Sequence, residues 1–276
     1  HKRLWISIYS ELEVPVPPLE VQREIVRVLD SFTLLTAELT AELTARKKQY
    51  EFYRNHLLDY KKEYPRVVLS DLCEIGDGLH GTPKYSDLGD YYFVNGVNLV
   101  DGKIKTDATT KKVDLVEYEK YRLPIDDNTV LMSINGTIGK VAYYQEEKVV
   151  LGKSVAYFKV TSPNLHKGYL FYLLQTADTI SYFEKNVTGG TIKNLGLKAL
   201  RSFNISLPPI EVQERLVMVL ENFDSICSDL NIGLPAEIEA RKKQYEFYRD
   251  QLLTFAQANT SILTDRQTDR QTDRQT

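Results

Sequence analysis

Three glycine-punctuated loops carry the side chains with the most recognition chemistry. Gly76-Asp-Gly-Leu-His-Gly-Thr-Pro-Lys-Tyr85 ends in a lysine and a tyrosine. Ile134-Asn-Gly-Thr-Ile-Gly-Lys140 and Thr188-Gly-Gly-Thr-Ile-Lys-Asn194 set Asn, Thr and Lys beside Gly. Glycine lets a backbone approach a ligand closely. Asparagine and lysine are side chains that hydrogen-bond base edges or hold phosphates. The candidate contact residues are Lys84, Tyr85, Asn95, Asn98, Asn135, Thr137, Lys140, Lys153, Thr191, Lys193 and Asn194. Ordinary hairpin turns also use Asn-Gly, so no single loop decides the matter. Charge does not decide it either. Residues 65–207 hold 17 Lys and Arg against 16 Asp and Glu, a net of +1, and the whole chain carries −3.

Catalytic chemistry has little to stand on. Gly136-Thr-Ile-Gly-Lys140 lacks the spacing of a phosphate-binding P-loop. No GxSxG, HExxH or CxxC pair occurs, and the four histidines are scattered. No cofactor and no metal site is expected. Cys73 and Cys227 read as free buried thiols of a reducing compartment. No signal-peptide pattern and no apolar run long enough to span a membrane is present, so a cytoplasmic location is expected. The chain begins at His1, with methionines only at 132 and 218, which points to a fragment or a missing start.

The elements that position the loops come in two textures. Between Pro65 and Leu207 the pattern is short strands with Gly, Asn and Asp turns. Val67–Leu69, Tyr91–Val94, Thr129–Ser133, Lys140–Tyr144 and Val155–Val160 read as strands, and Gly168 onwards as helix. This is an α+β domain built on a mixed sheet.

On either side lies a repeat. Ala45-Arg-Lys-Lys-Gln-Tyr-Glu-Phe-Tyr-Arg54 recurs unchanged as Ala240–Arg249. Pro17-Pro-Leu-Glu-Val-Gln22 matches Pro208-Pro-Ile-Glu-Val-Gln213. Short alternating stretches, Leu12–Val16 and Phe203–Leu207, precede the prolines and read as strands. Apolar spacing then predicts a long amphipathic helix after each proline pair. Leu43, Tyr50, Tyr53 and Leu57 share their spacing with Ile238, Tyr245, Tyr248 and Leu252, which is a coiled-coil seam. Arg46–Lys48 and Arg241–Lys243 lie beside it, either solvated or meeting DNA phosphate or a partner subunit.

The copies differ in length. Pro17 and Pro208 are 191 positions apart, Arg46 and Arg241 195. The first copy is thus shorter by one four-residue unit, in the stretch that holds the tandem Thr36-Ala-Glu-Leu39 and Thr40-Ala-Glu-Leu43. The second copy has Asn231-Ile-Gly-Leu-Pro-Ala236 there, which should break its helix. Four helical residues advance the axis by ~6 Å and turn the face by a net ~40°. One DNA base-pair step turns by about 35°. A helix that grows in such units suits a reader of two separated half-sites.

These residues resemble the DNA-specificity (S) subunit of Type I restriction–modification systems. The resemblance covers about residues 8 to 258. It rests on PPLEVQ and PPIEVQ, the two ARKKQYEFYR segments, DGLHGTPKY, NGTIGK, LGKSVA, GGTIKNL and the TAEL tandem. It implies a globular mixed-sheet target-recognition domain flanked by two long conserved helices that pack as an antiparallel coiled coil. By resemblance, residues 1–14 end a preceding recognition domain, 15–60 are the central spacer helix, 65–207 the recognition domain and 208–257 the distal spacer. The implied partners are double-stranded DNA, modification (methyltransferase) subunits and, through the complex, a restriction (translocase/nuclease) subunit. The chain itself would be non-catalytic. It departs from the family in having one recognition domain where two are expected. It would therefore dimerise with itself or a second half-subunit, be a fragment, or be a silent cassette that scaffolds without reading DNA.

Residues 258–276 form a polar repeat expected to be disordered. Thr-Asp-Arg-Gln is what the four-base word GACA encodes as it cycles through three frames. The tail is thus expected to translate a slippage tract capable of phase variation, a reading that synonymous scrambling of its codons would refute. No four-base word encodes the TAEL tandem.

Overall fold

The computed structural model describes residues 16–59, 64–190, 193–228 and 233–272, the last with side chains to 253. In chain order the elements are α1 (Leu19–Leu57), β1 (Arg66–Val68), β2 (Cys73–Asp77), β3 (Tyr91–Val94), β4 (Leu99–Val100), β5 (Lys103–Ile104) and β6 (Lys112–Val113). Then come α2 (Leu115–Tyr121), β7 (Thr129–Ser133), β8 (Val141–Tyr143), β9 (Val149–Leu151), β10 (Val155–Val160), α3 (Lys167–Leu173) and α4 (Ala177–Asn186). The chain continues through β11 (Val187–Thr188), β12 (Asn194–Leu195), α5 (Leu197–Arg201), β13 (Asn204–Ser206), α6 (Ile210–Ser228) and α7 (Leu234–Thr272). Two compact units result. One comprises residues 1–46 and 226–276, the other Lys47–Ser225. The second is wider than the 65–207 expected, because it takes in the end of α1 and most of α6.

Within Lys47–Ser225 the core is a four-stranded antiparallel sheet of order β2-β10-β7-β8. All five residues of β7 are buried, as its unbroken apolar run requires. A three-stranded mixed sheet, β6-β3-β9, pairs β3 parallel with β9. Val94, Leu99, Leu131, Ala142, Leu151, Val155 and Tyr157 pack together beneath the two. Each such aliphatic burial contributes about 1.5–3 kcal/mol. Cys73 is buried, and desolvation pushes its thiol up to about 12, so it stays protonated and inert. β1 pairs with β13 and closes the domain.

The proline-initiated helices start as their sequences predict, directly after Pro18 and Pro209. The glutamine of each PPxEVQ motif explains itself. Gln22 Nε2 donates to the Pro17 carbonyl at 2.7 Å, and Gln213 Nε2 to the Pro208 carbonyl at 2.7 Å. Gln213 also donates to the Asn164 carbonyl and accepts the His166 N–H, each at 2.8 Å, tying α6 to the loop before α3.

Buried or half-buried positions along α1 include Gln22, Ile25, Leu29, Phe32, Thr36, Leu39, Leu43, Tyr50, Tyr53 and Leu57. Their spacing of three and four, with one step of seven from Leu43 to Tyr50, is that of a coiled-coil seam. In one unit Phe32 stacks on Tyr248, with ring centroids 5.3 Å apart. In the other Tyr53 stacks on Phe223 at 5.5 Å. Phe32 and Phe223 are also equivalent positions of the repeat, as are Tyr53 and Tyr248. The two ring contacts are therefore one contact made twice, each repeat giving the phenylalanine to the other's tyrosine.

Three expectations meet the structure differently. The strand at 12–16 falls outside the described residues except for Val16, which is not in a strand. The disordered tail from 258 is instead helical to Thr272. Nothing after Leu252 supplies a Gly or Pro to stop the helix, and Arg and Gln are good helix formers. The expected break at Asn231–Ala236 falls partly outside the described residues, which resume at Gly233 with α7 from Leu234.

Candidate nucleic-acid interface

The strand ends of the sheet domain gather three loops around Asn135. Its Nδ2 donates to the Lys153 carbonyl at 3.2 Å, and its backbone bridges Asn194. The next residue, Gly136, donates its N–H to the Lys193 carbonyl at 3.0 Å. On the other side Leu195 N–H donates to the Ile134 carbonyl at 2.9 Å. Lys140 closes the same loop through its N–H on Ser133 Oγ at 3.0 Å. Lys140, Lys153 and Lys193 are thereby held at one edge, and all three side chains are exposed. Thr137 and Asn194 are exposed beside them. Gly136 and Gly139 sit at φ +72° and +88°, a backbone that side chains disfavour, with open space where a Cβ would go. Their role is the turn itself.

The Gly-rich loop after β2 joins this edge. Leu79 N–H donates to the Leu151 carbonyl at 2.7 Å, and Lys153 N–H returns a bond to the Leu79 carbonyl at 3.0 Å. The chains pass so closely that a Cβ on Gly78 would lie 2.2 Å from the Leu151 oxygen. Further along, Tyr85 is exposed, with its ring 6.0 Å from Phe93 and the Lys111 ammonium 5.9 Å above it. Lys84 fixes its backbone by donating its N–H to Glu117 Oε2 at 2.8 Å and leaves its side chain exposed. His80, also exposed, lies 2.7 Å from Asp77.

Asn95 and Asn98 behave differently from the lysines. Asn98 Oδ1 accepts the Asn95 N–H at 3.0 Å, and its Nδ2 donates to the Lys105 carbonyl at 3.1 Å. Ser154 Oγ donates to Asn95 Oδ1 and accepts the Gly96 N–H, both at 2.9 Å. Their amides are engaged inside the protein and shape the edge. Thr191 lies outside the described residues. Ser154, which sequence reading missed, joins β10 to the turn after β3. Nothing in Lys153-Ser154 alone signals it, because its partners lie 58 and 59 residues away.

The predicted seam residues are placed variously. Tyr50 is buried and Tyr53 stacks on Phe223. Tyr248 stacks on Phe32, while Leu57, Tyr245 and Leu252 are half-buried. Leu58, which was not predicted, is buried. Arg54 lies over the Tyr50 ring at 5.3 Å. Among the described residues no cluster of metal-ligating side chains occurs, and no helix is long and apolar enough to cross a membrane.

An exposed edge with several lysines, one tyrosine and glycine turns suits the rim of a polyanion. A family model described as the Type I restriction modification DNA specificity domain matches residues 61–240. The chain is 34% identical to the Type I restriction enzyme EcoR124I/EcoR124II specificity subunit of Escherichia coli, over 94% of this chain and 67% of that protein. It is 31% identical to a putative type I specificity subunit of Mycoplasma pneumoniae, over 88% of this chain and 93% of that one. Among solved structures, a chain from a type I restriction–modification system superimposes with a TM-score of 0.59 at 19% identity, over 87% of this chain and 60% of that one. The HsdS subunit from Thermoanaerobacter tengcongensis gives 0.51 at 18%, over 89% and 58%. The chain thus spans about three fifths of the length of these two solved relatives.

Proposed function

The chain belongs to the family of Type I restriction–modification DNA specificity subunits, and on that premise we propose that it reads one half of a divided DNA site. The reading surface is the loop edge around Asn135, and the helical arms dock modification subunits. The chain carries no reaction of its own; methylation and cleavage fall to its partners. One observation carries this reading. Lys140, Lys153 and Lys193 come from three loops whose backbones are linked by hydrogen bonds around Asn135, and all three side chains are exposed. Phosphate contacts by lysine position a protein on a duplex, and nearby polar side chains then meet base edges.

Gel retardation of random duplexes with and without modification subunit tests this reading. The expected result is retention of a selected sequence class in the presence of modification subunit, weakening as salt rises. Retention of no particular sequence in either condition would leave only a scaffold, the silent-cassette reading.

A further inference from the structure

We infer that Val97 is a specificity-determining residue, reading the C5 methyl of a thymine in the major groove of the half-site. The inference deepens the half-site reading and rests on it.

Val97 lies on the turn Asn95–Asn98, between β3 and β4. The other three residues of that turn are bonded into the fold. Asn98 Oδ1 accepts the Asn95 N–H at 3.0 Å, and the Asn98 N–H donates to the Asn95 carbonyl at 2.9 Å. Asn98 Nδ2 donates to the Lys105 carbonyl at 3.1 Å, and the Lys105 N–H returns a bond to the Asn98 carbonyl at 2.8 Å. Ser154 Oγ accepts the Gly96 N–H and donates to Asn95 Oδ1. Gly96 is buried and both asparagines are half-buried, whereas Val97 is 75% exposed.

This turn belongs to the loop edge. A Cβ on Gly96 would lie 2.8 Å from Ser133 Cβ, and one on Gly152 would lie 2.4 Å from Asn95 Oδ1. Ser133 directly precedes the Ile134–Lys140 loop, and Gly152 directly precedes Lys153. Val97 is thus one residue away from backbone packed against two of the loops that carry exposed lysines. A single exposed valine is ordinary. A bare valine on a turn fixed by six hydrogen bonds, among those loops, is a fixed apolar surface where a duplex would meet the chain. Leu88 is barer, but the Ser86 N–H ties its turn to Lys112 of β6.

The chemistry of the contact follows from the side chain. Valine has no donor or acceptor, so it gains nothing from the polar groups of a base edge and desolvates them at a cost. In unmodified DNA the thymine C5 methyl is the apolar group that base edges present in the major groove. A β-branched side chain has few rotamers, so it meets that methyl with little loss of freedom. It is shorter than the Phe, Leu, Ile or Met side chains that wedge between base steps. Lysine contacts with phosphate would place the edge without reading sequence, and the valine would add the reading.

Fluorescence anisotropy of the whole chain with its modification subunit tests this. The probe is the duplex selected by gel retardation, with each thymine of the half-site replaced in turn by deoxyuridine, which removes only the methyl. One replacement should weaken binding by the unaltered chain about fourfold, the contribution of one buried methyl group. Val97→Ala should bind the thymine duplex about fourfold more weakly and should bind both duplexes alike. Lys153→Ala should weaken both and keep the fourfold ratio, as loss of a phosphate contact does. Val97 is exposed, so the urea midpoint of Val97→Ala should be unchanged. If the unaltered chain selects no sequence, the half-site reading fails and the inference fails with it. A selected half-site without thymine, or one in which no deoxyuridine replacement weakens binding, overturns the inference and leaves that reading standing. If Val97→Ala weakens both duplexes by the same factor, or neither, the methyl is read by another residue and the inference is wrong.

Discussion

At the scale of single residues the loop edge separates two kinds of side chain that sit next to each other. Ser154 satisfies both Gly96 N–H and Asn95 Oδ1, whereas Lys153 gives only backbone groups to the fold and presents its ammonium to solvent. Removing the serine hydroxyl leaves a part-buried donor and acceptor without a partner, a cost of ~1–3 kcal/mol. Ser154→Ala should therefore lower stability to urea by that amount. Lys153→Ala should leave stability within about 0.5 kcal/mol, as exposed substitutions do. It should weaken DNA retention and reduce the salt slope by about 0.9 for each phosphate that the lysine neutralises. Urea unfolding and salt-titrated gel shifts on the same two proteins decide it. A salt slope unchanged by Lys153→Ala would remove that residue from the interface. The aromatic interior adds a second residue-scale point. Burial raises the Tyr143 and Tyr172 hydroxyls above the usual phenol range and lifts Tyr144 to about 12. Unfolded tyrosines ionise near about 10, so this part of the stability is complete below that pH and is lost as pH rises through the folded values.

At the scale of elements, what could be read from sequence depended on whether a segment's partners were local. β3, β7 and β10 were legible because each is an apolar run with β-branched or aromatic residues. β2 was not, because Cys73-Glu-Ile-Gly-Asp77 contains two acids and a glycine. Gly76 is there because the Tyr157 ring of the neighbouring strand lies against it; a Cβ would meet Tyr157 Oη at 2.5 Å. The helical seam was legible as a period, but Phe32 and Phe223 as partners of Tyr248 and Tyr53 were not. Spacing within one helix carries no information about a ring two hundred residues away. The edge lysines could be named from loop texture, whereas the bonds engaging Asn95 and Asn98 could not. The TAEL tandem shows what local reading does reach. Thr36, Thr40 and Thr44 each donate a hydroxyl to the carbonyl four residues earlier, at 2.8, 2.7 and 2.9 Å. Each unit thus satisfies itself within α1, so another can be added without a new partner. Inserting one Thr-Ala-Glu-Leu after Leu43 adds ~6 Å and ~40°. The rotation is close to one base-pair step, so the gap between half-sites should change by one base pair while the half-site bases stay the same. Mapping methylated sites in a host carrying each version measures the gap, and a constant gap would remove the spacer role from this helix.

At the scale of the whole molecule the two repeats are alike in sequence and unlike in what they hold. In the second, Gln213, Leu216, Val217 and Leu220 are buried, and Gln213 clamps the chain before α3. A Cβ on Gly168 of α3 would stand 2.8 Å from Val217, so helix and domain are in close contact there. The equivalent residues of the first repeat are Gln22, Ile25, Val26 and Leu29, and Val26 is 55% exposed where Val217 is 4%. The first arm therefore carries the residues of a seat for a recognition domain, and among the described residues nothing fills it. On the proposed reading the sheet domain meets one half-site, and a divided site calls for a second reading domain. If a second copy of the chain supplies it, a two-fold axis relates two identical readers, and two-fold symmetry in the protein demands the same in the DNA. The methylated sequence should then be an interrupted palindrome, with the same half-site inverted on either side of the gap. A methylome from a host expressing only this chain and its modification subunit provides the comparison. Two unlike half-sites would eliminate the homodimer.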